Sequence, residues 1–332
     1  MKRDGYFDSL KIILILMVIF GHVIEEYLQG NDLYKWIYLF IYTFHMPLFA
    51  FISGYFSKSQ DRNKLNKNVL KLFETFLIIQ IAWFILPGII NNTFSPIDLI
   101  TPYWTLWYLV SLCCWKLLSF LFVSRLSKVQ FFVLSVFLSF AIGFIPDGSA
   151  IFAISRTLVF FPFFLVGVYS TEKDIISIRS KAKWSSFVFL FFVLIACYFS
   201  ISRFNSMQKL LYGSYPYIYI GNAFLASFMR IMTLLLAFAM IYCFVNIIPD
   251  IKGMHTKGKN VLLYYIYHGP LLVLIHKAME YYNISPEPFY MVIAVLCLLF
   301  FIITIFARFE IFRILLNPFS YFFPLFSKVD KR

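Results

Sequence analysis

The stretch DSLKIILILMVIFGHVIEEYL at 8–28, followed after the polar break QGND by LYKWIYLFIYTFHMPLFAFISGYF at 33–56, decides how this chain folds. Each apolar segment is long enough to cross a bilayer, which takes about 20 residues as a helix. Each also carries a histidine, His22 in the first and His45 in the second. Hydrocarbon solvates an imidazole poorly, so an intramembrane histidine marks a function or a buried partner. Lys11 and His22 are eleven residues apart. At 100° per residue they fall within about 20° of one helix face, roughly 16 Å apart along the axis. Ile15 and Val18 lie between them, and Asp8 sits about one turn before Lys11. One face therefore runs from a cation at the membrane entrance to an imidazole deeper inside. That geometry suits a path from a cytoplasmic cofactor to a reaction centre within the membrane.

The rest of the chain is of the same kind. It has 332 residues, 61% hydrophobic and 14% charged, with 43 phenylalanines. No soluble domain of this size has an interior for so many large apolar side chains, so the fold class is an all-α integral membrane protein. Apolar runs at approximately 10–28, 35–56, 69–90, 104–123, 130–146, 151–170, 184–202, 220–246, 261–281 and 288–307 give about ten transmembrane helices. The whole of 1–332 is expected to form a single polytopic domain. With the N-terminus inside, all but seven of the 29 Lys and Arg fall at cytoplasmic ends and loops. The seven exceptions are Lys35, Lys116, Arg156, Arg203, Lys209, Arg230 and Lys277. Both termini are thus expected in the cytoplasm, with the chain crossing the plasma or inner membrane many times.

Composition also excludes several classes. The formal charge of +13 sits in short clusters between apolar runs, which is a topology signal in a lipid bilayer and no nucleic-acid surface. The five cysteines all lie in apolar runs, without the spacing of a disulfide framework or a metal site. The five histidines lack the paired helical spacing of a metal centre, so no metal is expected. A positive start and an apolar run without a small-residue cleavage site before Glu25 predict a retained first span.

YFDSLKIILILMVIFGH and FHMPLFAFISGYF together resemble the membrane-bound acyltransferase-3 family, in particular its branch that O-acetylates sugars. In that family the first span carries a basic residue, ten intervening residues and a histidine, matched by Lys11 and His22. The second carries a histidine and a Phe-Ile-Ser-Gly-Phe-like end, matched by His45, Ser53 and Gly54. Lysine stands where the family usually has arginine, which keeps the charge and loses the planar fork. Gly258, Asn260, Tyr265 and His268 match a late Gly-x-Asn-Leu…Tyr-x-x-His segment. The resemblance implies acetyl-CoA as acyl donor and a surface or capsular polysaccharide, or its lipid-linked precursor, as acceptor.

Other residues carry two readings each. Lys67 and Lys71, four apart on one face of the third span, either bind coenzyme A phosphates or anchor the helix at the cytoplasmic boundary. Trp107 and Tyr108, in TPYWTLWYLVSL, either sit in the interfacial aromatic belt or shape the acceptor site. Arg156 and Arg230 lie several residues inside spans and need a partner or a polar cavity, as a structural ion pair or a substrate contact. Glu25, Glu26, Glu74 and Glu280 are candidate partners. The tyrosines around Pro216 suit either sugar stacking or the interface. His268 precedes Gly269 and Pro270, so it either touches substrate or satisfies local backbone, and Asn260 is expected to cap its helix.

Moving an acetyl group from a thioester to a hydroxyl requires a base, stabilisation of the tetrahedral oxyanion, and two substrates held in contact. His22 is assigned as base. His45 orients it, or donates to the oxyanion or acceptor, while Ser53 shapes the donor pocket. Direct attack and an acyl-histidine relay remain open. The rival class is a transporter or flippase for a glycan or lipid-linked sugar, and a weaker one a non-catalytic partner of a polysaccharide machine. Release of coenzyme A separates the first class from both.

Overall fold

The computed structural model describes residues 5–91, 96, 98–146, 152–284 and 288–318. The expected cytoplasmic termini, with Lys2, Arg3, Lys328, Lys331 and Arg332, lie outside the described residues, as does position 151. All regular structure among the described residues is helical.

α1 (Gly5–Glu25) ends at the polar break. There Gly30 takes a positive φ of 79°, which costs a glycine little. Asn31 then caps α2 (Asp32–Tyr42), its side-chain oxygen accepting the Tyr34 N–H at 3.1 Å. The second apolar segment is not one continuous helix. α2 stops at Tyr42 and α3 (His45–Tyr55) restarts after two residues, although Asp32–Tyr55 as a whole is long and apolar enough to form one span.

α4 (Arg62–Asn91) and α5 (Trp107–Phe122) follow, then α6 (Lys128–Ala141), which runs on as a 3-10 turn to Phe144. α7 (Ile154–Tyr169) and α8 (Glu172–Ser180) meet at a bend of 96°. A capping box between Thr171 and Asp174 starts α8 there in its new direction. α9 (Trp184–Phe199) turns by 55° through a 3-10 segment into α10 (Phe204–Tyr212). The chain continues as α11 (Ala223–Ile247), α12 (His255–Gly258), α13 (Val261–Tyr281), α14 (Phe289–Phe306) and α15 (Ile311–Ile314).

Among the described residues seven helices can cross a membrane by length and composition, and up to nine if each bent pair counts as one span. The sequence expects ten. The two bends break the runs near 170 and 200, and Lys128–Phe144 is a shorter apolar helix.

The chain divides into two compact units. One comprises Met1–Phe49, Thr171–Leu211 and Thr233–Phe309; the other comprises Ala50–Ser170, Tyr212–Met232 and Glu310–Arg332. The first is built on α1. Tyr6 donates its hydroxyl to the Val245 carbonyl at 2.7 Å, and the Ser9 hydroxyl accepts the Ile251 N–H at 2.9 Å. Gly258 lies so close to Asp8 that any Cβ there would collide with it, so this matched glycine brings α12 against α1. Asn260 occupies the N-cap position of α13 but makes no capping hydrogen bond, contrary to expectation. With φ −104° and ψ 13°, it continues the turn from α12 and lacks the extended backbone a capping side chain needs.

The second unit is held by a seam of hydroxyls along α7. Ser111 and Thr157 share a hydrogen bond of 2.7 Å, the buried Trp115 indole donates to the Thr157 carbonyl at 2.7 Å, and Ser139 donates to the Val159 carbonyl at 3.3 Å. Where α3 crosses α7, a Cβ on Gly54 would collide with the Phe164 carbonyl and a Cβ on Gly167 with the Phe51 carbonyl. Close approach through small residues is how helices pack where lipid supplies no hydrophobic drive. Gly54 therefore serves the crossing.

Candidate functional site

Four of the expected site residues belong to the first unit. Lys11 and His22 share the α1 face that the spacing predicts, and Lys11 pairs with Asp8 at 3.4 Å. His22 lies in the last turn of α1, about 26 Å along a helix of about 31 Å. Its side chain is 12% exposed, and Nδ1 lies 2.9 Å from Oε2 of Glu25 one turn on. The other Glu25 oxygen accepts from the hydroxyl of Tyr38 at 3.4 Å. Tyr38 is fully buried and stacks on Tyr42 with centroids 3.9 Å apart. The carboxylate is thus gripped from α2 while it holds the imidazole of α1.

His268 completes the arrangement from α13. It is fully buried, and its ring stacks on His22 with centroids 5.4 Å apart and planes 23° apart. Its Nδ1 lies 3.0 Å from the Tyr264 carbonyl. A carbonyl only accepts, so this nitrogen carries the hydrogen. His45 is likewise buried and donates from Nδ1 to the Ile41 carbonyl at 2.8 Å, with its ring against the Tyr42 ring at 4.5 Å. The Ile41 carbonyl, at the break between α2 and α3, also accepts the Phe44 N–H at 3.3 Å, and the imidazole adds a second donor to it. Among the described residues Glu25, and not His45, makes the hydrogen bond that orients His22.

The remaining expected residues belong to the second unit. Ser53 and Tyr108, assigned separately to donor and acceptor, share a hydrogen bond of 2.7 Å. Lys67 and Lys71 are exposed on α4. The guanidinium of Arg156 lies over the rings of Trp107 and Tyr212, 5.1 and 5.6 Å from their centroids, and donates to Ser214 at 3.4 Å. Arg230 is buried and interacts with Tyr217, whose hydroxyl donates to the Phe140 carbonyl at 2.9 Å. Of the carboxylates considered as arginine partners, Glu25 engages His22, and Glu26 forms an ion pair of 2.8 Å with His276.

Glu25 as a partner of His22 is the main addition to the sequence reading. The signal is present in the chain, because His22 and Glu25 are three apart on one helix and such neighbours face each other. Tyr38 offers no such signal. A carboxylate bound to one imidazole nitrogen fixes the tautomer and directs the lone pair of the other, which can take up a proton and return it.

Residues 4–308 match the family described as "Acyltransferase domain". Nodulation protein NolL of Mesorhizobium japonicum is 48% identical over 60 residues, covering 17% of this chain and 16% of that protein. Nodulation protein NolL of Sinorhizobium fredii is 44% identical over 57 residues, or 16% of each chain. The chain therefore matches only about 16% of the length of these curated relatives. No solved structure matches it.

Proposed function

The chain belongs to the acyltransferase-3 family, and on that premise we propose that it is a membrane O-acetyltransferase. It moves acetyl from cytoplasmic acetyl-CoA to a sugar hydroxyl of a surface polysaccharide or its lipid-linked precursor. The observation that carries this reading is the His22–Glu25 pair within a helix of the matched domain.

Glu25 accepts the Nδ1 hydrogen of His22 and so leaves the lone pair on Nε2. That nitrogen takes the proton of the sugar hydroxyl as its oxygen attacks the thioester carbonyl. The carbon–sulfur bond breaks, and the imidazolium returns its proton to the departing thiolate, giving coenzyme A. Glu25 stabilises the imidazolium in between. His268, stacked on His22, holds the ring plane. On this reading Lys11, Lys67 and Lys71 are the cations for the donor phosphates and Ser53 a donor contact, while Trp107, Tyr108, Arg156 and Arg230 are contacts of the acceptor sugar.

The test is the O-acetyl content of surface polysaccharide, by proton NMR, in cells whose own copy is replaced by wild type or His22→Ala at matched protein level. Acetyl signals present with wild type and absent with His22→Ala are expected, and their position identifies the sugar. Full acetylation with His22→Ala removes His22 as the base. Unchanged acetylation on deletion, with export lost, favours a transporter.

A further inference from the structure

Lys116 is one of the seven cations outside the charge pattern, nine residues into α5 and flanked by SLCCW and LLSFLF. Its ammonium reaches Ser57, just past the end of α3, and donates to the Ser57 hydroxyl oxygen at 2.7 Å. Ser57 spends its own hydrogen on the Ser53 carbonyl at 2.6 Å, and Ser53 in turn shares the hydrogen bond with Tyr108. The bond between Lys116 and Ser57 has one direction, because an ammonium only donates. An ammonium has three hydrogens to donate, and the bond to Ser57 uses one. Among the described residues no carboxylate pairs with Lys116. The Cys113 thiol and, as a like charge, Lys64 of α4 act on it electrostatically.

A half-buried cation in an apolar helix, backed by a second cation, is unfavourable unless an anion joins it. By contrast, Lys58 in the same loop donates to the Ser170 carbonyl and lies over the Tyr55 ring, 3.8 Å from its centroid. We propose that Lys116 and Lys64, with Ser57 fixing the first, form a seat for a phosphate group at the end of α3. Two sources offer that chemistry, the phosphates of a coenzyme A thioester and the headgroup of an anionic lipid. The first rests on the acetyl-transfer reading, and the second does not.

The experiment uses the full chain in phosphatidylcholine nanodiscs and measures the Kd of coenzyme A for wild type, Lys116→Gln, Lys116→Arg, Lys64→Gln and Glu26→Gln. Removing a charged hydrogen-bond donor from a phosphate should raise Kd by about tenfold or more. The expected result is that rise with Lys116→Gln, a smaller one with Lys64→Gln, near-wild-type binding with Lys116→Arg, and no change with Glu26→Gln. A second arm replaces part of the lipid with phosphatidylglycerol and follows thermal unfolding. Stabilisation by that lipid, abolished in Lys116→Gln, assigns the seat to a headgroup even if wild type does not bind coenzyme A; in that case the acetyl-CoA reading falls and the seat stands. If Lys116→Gln does not fold, Lys64→Gln and Ser57→Ala carry both arms. Indifference of both ligands to these substitutions overturns the proposal and leaves Lys116 as a tie for Ser57.

Discussion

The two units differ in the partners they give several polar side chains, although Arg179 of the first also lies over the Tyr6 ring, 3.9 Å from its centroid. In the first, imidazoles meet carboxylates: His22 with Glu25, His276 with Glu26, and His255 with Asp250 at 2.6 Å. In the second, cations meet hydroxyls and aromatic faces: Lys116 with Ser57, Arg156 with Trp107 and Tyr212, Arg230 with Tyr217. A carboxylate beside an imidazole can share and return a proton. A cation beside a hydroxyl or a ring keeps its charge and remains able to attract an anion. On the proposed acetyl-transfer reading, the pairs of the first unit suit proton transfer and those of the second suit holding an anion.

The hardest test of that contrast is His22→Ala. Loss of a general base is expected to lower acetyl transfer by about 10²–10⁴-fold, read as coenzyme A thiol released from acetyl-CoA by membrane vesicles. Glu25→Gln comes next. Glutamine keeps the shape but cannot stabilise the imidazolium, and a drop in kcat of about 10²-fold is expected with little change in KM for acetyl-CoA. An equal loss through KM would instead place Glu25 in donor binding and blur the division. His276 is the control, because its partner Glu26 has a side chain 60% exposed. Glu26→Gln should leave turnover near wild type.

Within the second unit the crossing of α3 on α7 should be the most sensitive point. Gly54→Val forces a side chain into the Phe164 carbonyl and is expected to cost at least about 1–3 kcal/mol, seen as a lowered Tm of the solubilised chain. A milder effect is expected at Arg156. A double-mutant cycle of Arg156→Gln with Trp107→Leu should give a coupling of about 0.5–2 kcal/mol in thermal unfolding if the cation rests on the ring as described. Zero coupling would leave the aromatic faces as bystanders.

Much of this was legible in the chain. Hydropathy runs located the helices, because bilayer thickness imposes a length that few other constraints do. The eleven-residue spacing put Lys11 and His22 on one face by helix geometry alone. What escaped was where runs stop. The break between Tyr42 and His45 does have a local signal in Pro47, which has no N–H for the Thr43 carbonyl and crowds it, but His45 there was read for its chemistry and not for the backbone bond it makes. Glu25 was weighed as a partner for Arg156 or Arg230, and not for the histidine one turn before it on the same helix. Lys116 looked misplaced because its partner Ser57 is 59 residues away in sequence. Pairings of that kind belong to packing, which periodicity does not encode.

The Gly54–Gly167 crossing has a consequence of its own. Most tight junctions between side chains can be repaired from the other side, since a residue that grows can be met by a neighbour that shrinks. Here each glycine faces a main-chain carbonyl, and neither glycine nor carbonyl can be made smaller. Shrinking a facing side chain cannot restore the fit once either glycine is replaced; the helices themselves must move apart. The joint therefore has no slack to trade, and variation in this part of the chain must proceed around it.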